Sequence, residues 1–224
     1  MASHEVILYT CVLANRDRPK RIEFKDDGFR YVLFTDTPDI YAPDWEIRPS
    51  VVGSLADPTR ISRYHKHHPF ELFPQAECAV WLDATHWPYQ SLRPLVDSVS
   101  HIASMRHQVR TKVKDEAEEC MRHNMDSRRL FLAQMEQYEA EGFPDDLGLY
   151  STSCLVMRKT PEFDKLSSFW WDQICRYSRR DQISLPYASW KTGVVPQVIP
   201  GVDRDGYSPF FKMISHYKKF TKLM

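Results

Sequence analysis

Short apolar runs, each closed by polar or proline-bearing residues, alternate along the chain with stretches of helical periodicity. Val6 to Leu13 is continuously apolar and rich in β-formers, which predicts a strand buried on both faces; Tyr31 to Thr35 repeats the pattern before ending in Asp36. These two read as parallel strands. Cys78 to Leu82, Ile102 to Met105, Ser153 to Met157 and Val194 to Ile199 predict further strands. Between them, Asp57-Pro58 places an N-cap before a proline at the first helical position, so a helix is predicted from Pro58 to about His67. Leu92 to Val99 and Asp115 to His123 have helical composition, and Ser127 caps a periodic helix through Glu141 that Gly142 stops. Thr160-Pro161 opens an amphipathic helix burying Phe163, Leu166, Phe169, Trp170 and Ile174, and a shorter helical stretch runs from Asp181-Gln182 to Trp190.

Strands alternating with helices predict a mixed α/β architecture, a central and mostly parallel sheet flanked by helices. The length of 224 residues and the absence of repeats favour a single domain over 1–224. Its motif-bearing region spans about 6–199, and a tail, 200–224, carries Lys212, Lys218, Lys219 and Lys222 among aromatics without a clear element.

Composition narrows the function classes. Thirty basic residues balance thirty acidic ones, so no global field favours nucleic acid or an anionic membrane as partner. Five widely spaced cysteines without a C-x-x-C pair read as buried thiols in a reducing compartment. The start lacks a basic segment followed by a long apolar run, and about 18 consecutive apolar residues occur nowhere, so a cytoplasmic location without a transmembrane segment is expected. No G-x-x-x-x-G-K, G-x-G-x-x-G or G-x-S-x-G pattern is present, which disfavours kinases, dinucleotide oxidoreductases and serine hydrolases.

The candidate chemistry collects where strands end, the edge on which open α/β sheets bind ligands. Thr10 in the first strand and Asp36 after the second are candidate donor contacts. Ala79 to Leu82 delivers Asp83, followed by Ala84, Thr85 and His86; this aspartate serves either a turn or a divalent cation that neutralises a departing diphosphate. On the predicted helix, Arg60, Arg63 and Lys66 recur every third residue, either as a solvated basic face or as cations meeting a diphosphate. His65, His67 and His68 diverge at that spacing and do not form a metal site. Arg106, His107 and Arg110 suit an acceptor or phosphate, or else a salt-bridged loop. Trp170, Trp171 and Trp190 are candidate sugar platforms, although Trp170 falls on the apolar stripe.

Trp81-Leu82-Asp83-Ala84-Thr85 resembles a degenerate form of the strand-Asp-x-Asp signature of GT-A glycosyltransferases. Leu33-Phe34-Thr35-Asp36, Arg60-Ile61-Ser62-Arg63-Tyr64-His65-Lys66, Arg106-His107-Gln108-Val109-Arg110, Glu116-Ala117, Gln134 to Tyr138 with Glu141-Gly142-Phe143-Pro144, and Arg180-Asp181-Gln182 follow in order. The set, from about Tyr9 to Trp190, resembles the glycosyltransferase-like domain of plant mucilage and cell-wall proteins and of microbial and viral polysaccharide enzymes.

The resemblance implies a GT-A-like fold and transfer from a nucleotide-sugar donor, UDP-sugar foremost, to a hydroxyl of a glycan or other acceptor. It also implies a divalent cation, Mn2+ or Mg2+, with Asp83 matching the first aspartate and Thr85 replacing the second as metal ligands. Asp181 and Gln182 take the catalytic positions beside the sugar, Asp181 as a base in an inverting course or as a stabiliser in a retaining one, which the Asp-Gln pair favours. Two alternatives accompany this reading: a nucleotide- or carbohydrate-binding module without catalysis, and a metal-dependent nucleotidyltransferase.

Overall fold

The computed structural model describes residues 5–50, 57–201 and 208–213. Strands β1 (Glu5–Val12), β2 (Phe29–Thr35), β3 (Glu46–Pro49), β4 (Ala76–Leu82), β6 (Ile102–Arg106), β7 (Tyr150–Arg158) and β8 (Gln197–Ile199) form a seven-stranded sheet in the order β3-β2-β1-β4-β7-β6-β8. Pairs β3/β2, β2/β1, β1/β4 and β6/β8 are parallel; β7 runs antiparallel to both β4 and β6. A two-stranded ribbon of β5 (His86–Pro88) and β9 (Phe211–Met213) stands apart from it.

The period-2 geometry of strands divides the apolar runs between two cores. Val6, Leu8, Leu33, Val80 and Val156 face one side, where α3 (Arg93–Ser98) contributes Leu95 and Val96. Ile7, Tyr9, Val32, Trp81 and Leu155 face the other and pack on α6 (Pro161–Arg176) and α7 (Asp181–Thr192) through Phe163, Leu166, Trp170 and Leu185. Every strand residue from Val6 to Thr10 is buried, which explains why these strands read as continuous apolar runs. A third cluster joins α4 (Val113–Arg122) and α5 (Arg128–Ala140) to α7, with Tyr138 stacked on Tyr187 at 3.7 Å.

Helix α1 (Pro58–His67) begins as its sequence dictates, with Asp57 accepting from the Thr59 N–H at 2.9 Å and Pro58 in the first turn. A single turn, α2 (Pro69–Leu72), leads from it into β4. Thr160 caps α6 through the Phe163 N–H, and Gly142 follows α5 at φ 72°, the left-handed turn that glycine accommodates. Trp170 is core: its indole N–H donates to the Asp181 carbonyl at 3.1 Å, joining α6 to the start of α7. Of the tail lysines, Lys212 lies in β9 and pairs with Glu23 at 2.7 Å, whereas Lys218, Lys219 and Lys222 lie outside the described residues. Among the described residues no helix is long and apolar enough to cross a membrane.

Candidate active site

The carboxyl ends of β1 and β4 and the first turns of α1 enclose a cleft of about 480 Å³, to which Val12, Arg16, Ser62, Arg63, Asp83 and Ala84 contribute. Asp83 stands at its floor. It leaves β4 with its N–H still bonded to the Ser153 carbonyl at 2.8 Å, and its own carbonyl closes a turn onto the His86 N–H at 2.8 Å. Its Oδ1 accepts from the Trp81 indole at 2.8 Å and lies 3.5 Å from the Lys66 Nζ. Both contacts use Oδ1, and 33% of the side chain remains exposed, which leaves Oδ2 for a ligand.

Lys66 is fully buried behind this carboxylate. Its ammonium donates to the Thr152 carbonyl at 2.7 Å and to the Asp181 Oδ2 at 2.7 Å, and it lies 5.2 Å from the Trp81 ring centroid. Arg63, one turn earlier on α1, brings its Nε to 3.3 Å from the same Asp181 oxygen while lining the cleft. Lys66 and Arg63 thus converge on one buried carboxylate. Burial alone raises the Asp181 carboxyl, but the charges of Arg63, Lys66 and Arg180 outweigh it and hold the group far below the usual carboxylate range. For Asp83 the same contest, burial against Lys66 and Arg63, also ends below the ordinary value. Lys66 is lowered by burial and by Arg63, with Asp181 and Asp83 opposing.

Asp83, Ala84 and Arg63 meet in the cleft; the other sequence candidates lie elsewhere. Arg60 shares their helix but turns away, donating to the Ile174 and Tyr177 carbonyls at 3.3 and 2.8 Å and to Asp57 at 3.1 Å. The carbonyl end of α6 is a natural seat for a guanidinium, so Arg60 does not face a diphosphate with Arg63. Asp36 accepts the Ala14 N–H with both oxygens, at 3.1 and 2.9 Å, fixing the loop after β1 where Ala14 and Asn15 take positive φ. Thr10 is buried within β1, outside the cleft lining.

His107 and Arg110 belong to a loop salt-bridged through Glu116, whereas Arg106 lies outside that network. Arg110 Nε lies 2.5 Å from Glu116, His107 Nε2 lies 3.6 Å from the same oxygen, and Arg180 reaches the other Glu116 oxygen at 3.1 Å. Arg106 lies over the Tyr150 ring, 4.5 Å from its centroid. Gln182 accepts from Arg180 and joins the same network. Asp181 has no exposed surface, so its carboxylate does not stand open beside a sugar as its place in the sequence suggested. The imidazoles of α1 separate as their spacing requires: His65 meets the Ile61 carbonyl, His68 the Tyr64 carbonyl, and His67 packs on Trp170.

The donor set does not fit a divalent cation. Thr85 is buried with its hydroxyl 3.1 Å from the His86 Nδ1, and among the described residues no three His, Cys, Asp or Glu side chains converge on a common point. The Lys66 ammonium, 3.5 Å from the Asp83 Oδ1, already supplies that carboxylate with a positive charge. Of the pair expected to hold a metal, Thr85 is turned into the interior and Asp83 already adjoins the Lys66 ammonium.

The family model of the TOD1/MUCI70 glycosyltransferase-like domain matches residues 54–201, about two thirds of the chain. The chain belongs to this family. Its fold is that of the GT-A glycosyltransferases: the bifunctional glycosyltransferase WbbM, in its apo form, is similar with a TM-score of 0.50 at 11% identity, over 89% of this chain and 39% of that one. The family member described here therefore spans well under half of WbbM. Mouse xyloside xylosyltransferase 1 is similar at 10% identity, TM-score 0.48, over 87% of this chain and 84% of that one. The galactosyltransferase LgtC, solved with donor and acceptor sugar analogs, is similar at 14% identity, TM-score 0.44, over 80% and 69%. No curated protein matches the chain.

Proposed function

We propose that the protein transfers a sugar from a nucleoside diphosphate donor, a UDP-sugar foremost, to a hydroxyl of a glycan or similar acceptor in polysaccharide or glycoconjugate synthesis. The observation that carries this reading is the cleft at the ends of β1 and β4, where a carboxylate one-third exposed, Asp83, and a guanidinium, Arg63, line one volume in a glycosyltransferase-like domain. Asp83 Oδ2 accepts a ribose hydroxyl. Arg63, with Arg16 at the rim, faces the diphosphate, whose charge grows as the bond to the sugar breaks.

Asp181 orients these groups rather than taking the acceptor's proton. A general base must be free to bind a proton near neutral pH and must reach the hydroxyl within about 3 Å. A buried carboxylate locked between Lys66 and Arg63 meets neither condition. With Asp181 out of that role, the departing phosphate oxygen takes the acceptor's proton, the course of a retaining transfer.

The test is equilibrium binding of a panel of nucleotide sugars, followed by transfer assays with the donor that binds and NMR of the product's anomeric carbon. Donor binding with turnover and a retained configuration is expected. Binding without turnover would identify a binding module, and an inverted product would overturn the retaining course.

A further inference from the structure

We infer that side-chain cations fixed by the fold, Arg63 and Lys66 anchored on Asp181, supply the positive charge that holds the donor's diphosphate, so that donor binding needs no divalent ion. The inference rests on the reading of the cleft as a nucleotide-sugar site.

A site with two carboxylates and one divalent ion carries two negative and two positive charges before the donor arrives. Here Asp83 and Asp181 supply the two negative charges, and Lys66 and Arg63 supply two positive ones within 3.5 Å of those carboxylates. The sum is the same without an ion. The Lys66 ammonium donates to the Thr152 carbonyl and to Asp181 and has the Asp83 Oδ1 3.5 Å away, so two hydrogen-bond acceptors and a second carboxylate face its charge.

Lys66 has no exposed surface and sits behind Asp83, so its part is to neutralise that carboxylate from the protein side. Without it, Asp83 would repel the diphosphate approaching the same floor. Arg63 is the cation in front. Asp181 lies 3.3 Å from its Nε and pairs with it by charge rather than through an aligned hydrogen bond, which holds the side chain at the wall of the cleft that Arg63 lines, where a planar fork suits phosphate oxygens. Asp181 is a positioning residue in this scheme. It reaches the donor only through Arg63 and Lys66.

The place of the second carboxylate is closed. Thr85 is buried against His86, which leads directly into the β5/β9 ribbon, and its hydroxyl cannot swing toward Asp83 without breaking that contact.

The experiment is isothermal titration calorimetry of the full chain with UDP, once in excess EDTA and once in saturating Mn2+, repeated with GDP, CDP and ADP. The inference expects the preferred nucleotide to bind in EDTA with an affinity within about threefold of that in Mn2+. Arg63→Ala is expected to lose at least about tenfold in both buffers, the worth of a charge-assisted hydrogen bond, and Arg63→Lys to recover part of it. Circular dichroism confirms that both variants fold, and the EDTA comparison needs no variant at all. Binding that appears only with Mn2+ overturns the inference and leaves the nucleotide-sugar reading intact. Parent-like affinity in Arg63→Ala also overturns it. Failure of all four nucleotides to bind in either buffer overturns both.

Discussion

Lys66 offers the sharpest test of how the site is held together. Lys66→Met keeps most of the aliphatic stem and removes the ammonium, leaving Asp181 with no exposed surface and without its 2.7 Å partner. Removing one member of a buried ion pair costs about 3–5 kcal/mol, because the other charge stays desolvated. Asp181→Leu should cost a similar amount from the opposite side. The double variant Lys66→Met/Asp181→Leu replaces both charges with apolar groups and should be less destabilised than the sum of the singles by about 2–3 kcal/mol. Urea denaturation followed by tryptophan fluorescence reads all four proteins, since Trp81 and Trp170 adjoin the cluster. The pH dependence adds a second reading. The Asp181 carboxyl is held far below its ordinary value of 3.8, so its stabilisation is fully present above that value and is lost as pH falls below it. The parent should therefore lose stability faster than Lys66→Met below about pH 4, and the gap between them should narrow. Additive single variants, or a gap that stays constant into acid, would refute the account of a coupled buried pair.

Three further outcomes are expected. Arg60→Ala should lower stability by about 1–3 kcal/mol yet leave UDP affinity within about twofold, because its guanidinium is engaged by α6 carbonyls; a tenfold loss of affinity would return it to the donor site. Asp83→Asn should keep the fold and weaken UDP binding by calorimetry, and unchanged affinity would make Asp83 a turn residue alone. Gly148→Ala should cost about 1–2 kcal/mol in thermal unfolding, since Gly148 sits at φ +84° and an added Cβ would run into the Arg106 guanidinium over Tyr150; an unshifted Tm would contradict this.

The parts of the fold legible in the sequence are those where a local rule and burial agree. α1 and α6 begin where Asp57-Pro58 and Thr160-Pro161 place them, because cap and proline act within one turn. β1, β2 and β4 were visible because burial on both faces leaves no polar interruption. β3, Glu-Ile-Arg-Pro on the sheet edge, carries almost no apolar signal, and the β5/β9 ribbon joins three-residue segments more than a hundred positions apart. β7 extends further back than its apolar part, to Tyr150, because Ser151 and Thr152 are buried by the sheet rather than by their own character; the Ser104 hydroxyl donates to the Ser151 carbonyl at 2.6 Å. Its antiparallel direction follows from chain connectivity, which no local pattern reports.

The same distinction runs through the site. Asp83 and Arg63 were legible because a strand end and a helix position fix where they point. Arg60, His107 and Arg110 read equally as ligand contacts or as a solvated face and a salt-bridged loop, because cations look alike until their acceptors are known, and those acceptors, the carbonyl end of α6 and Glu116, lie on other elements. Lys66 was grouped with the cations of an open helix face, and periodicity gave no reason to separate it: position 66 lies five residues, about 140° around the helix, from the buried Ile61 and shares its side of the helix with Ser62 and Arg63. It is buried together with His65 and His67, three consecutive positions, because tertiary packing closes over the last turn of α1, which no local pattern reports. A lysine enclosed there demands a buried partner, and Asp181, at the start of α7, supplies it at 2.7 Å. With that pair formed, Asp181 is no longer open to an acceptor hydroxyl.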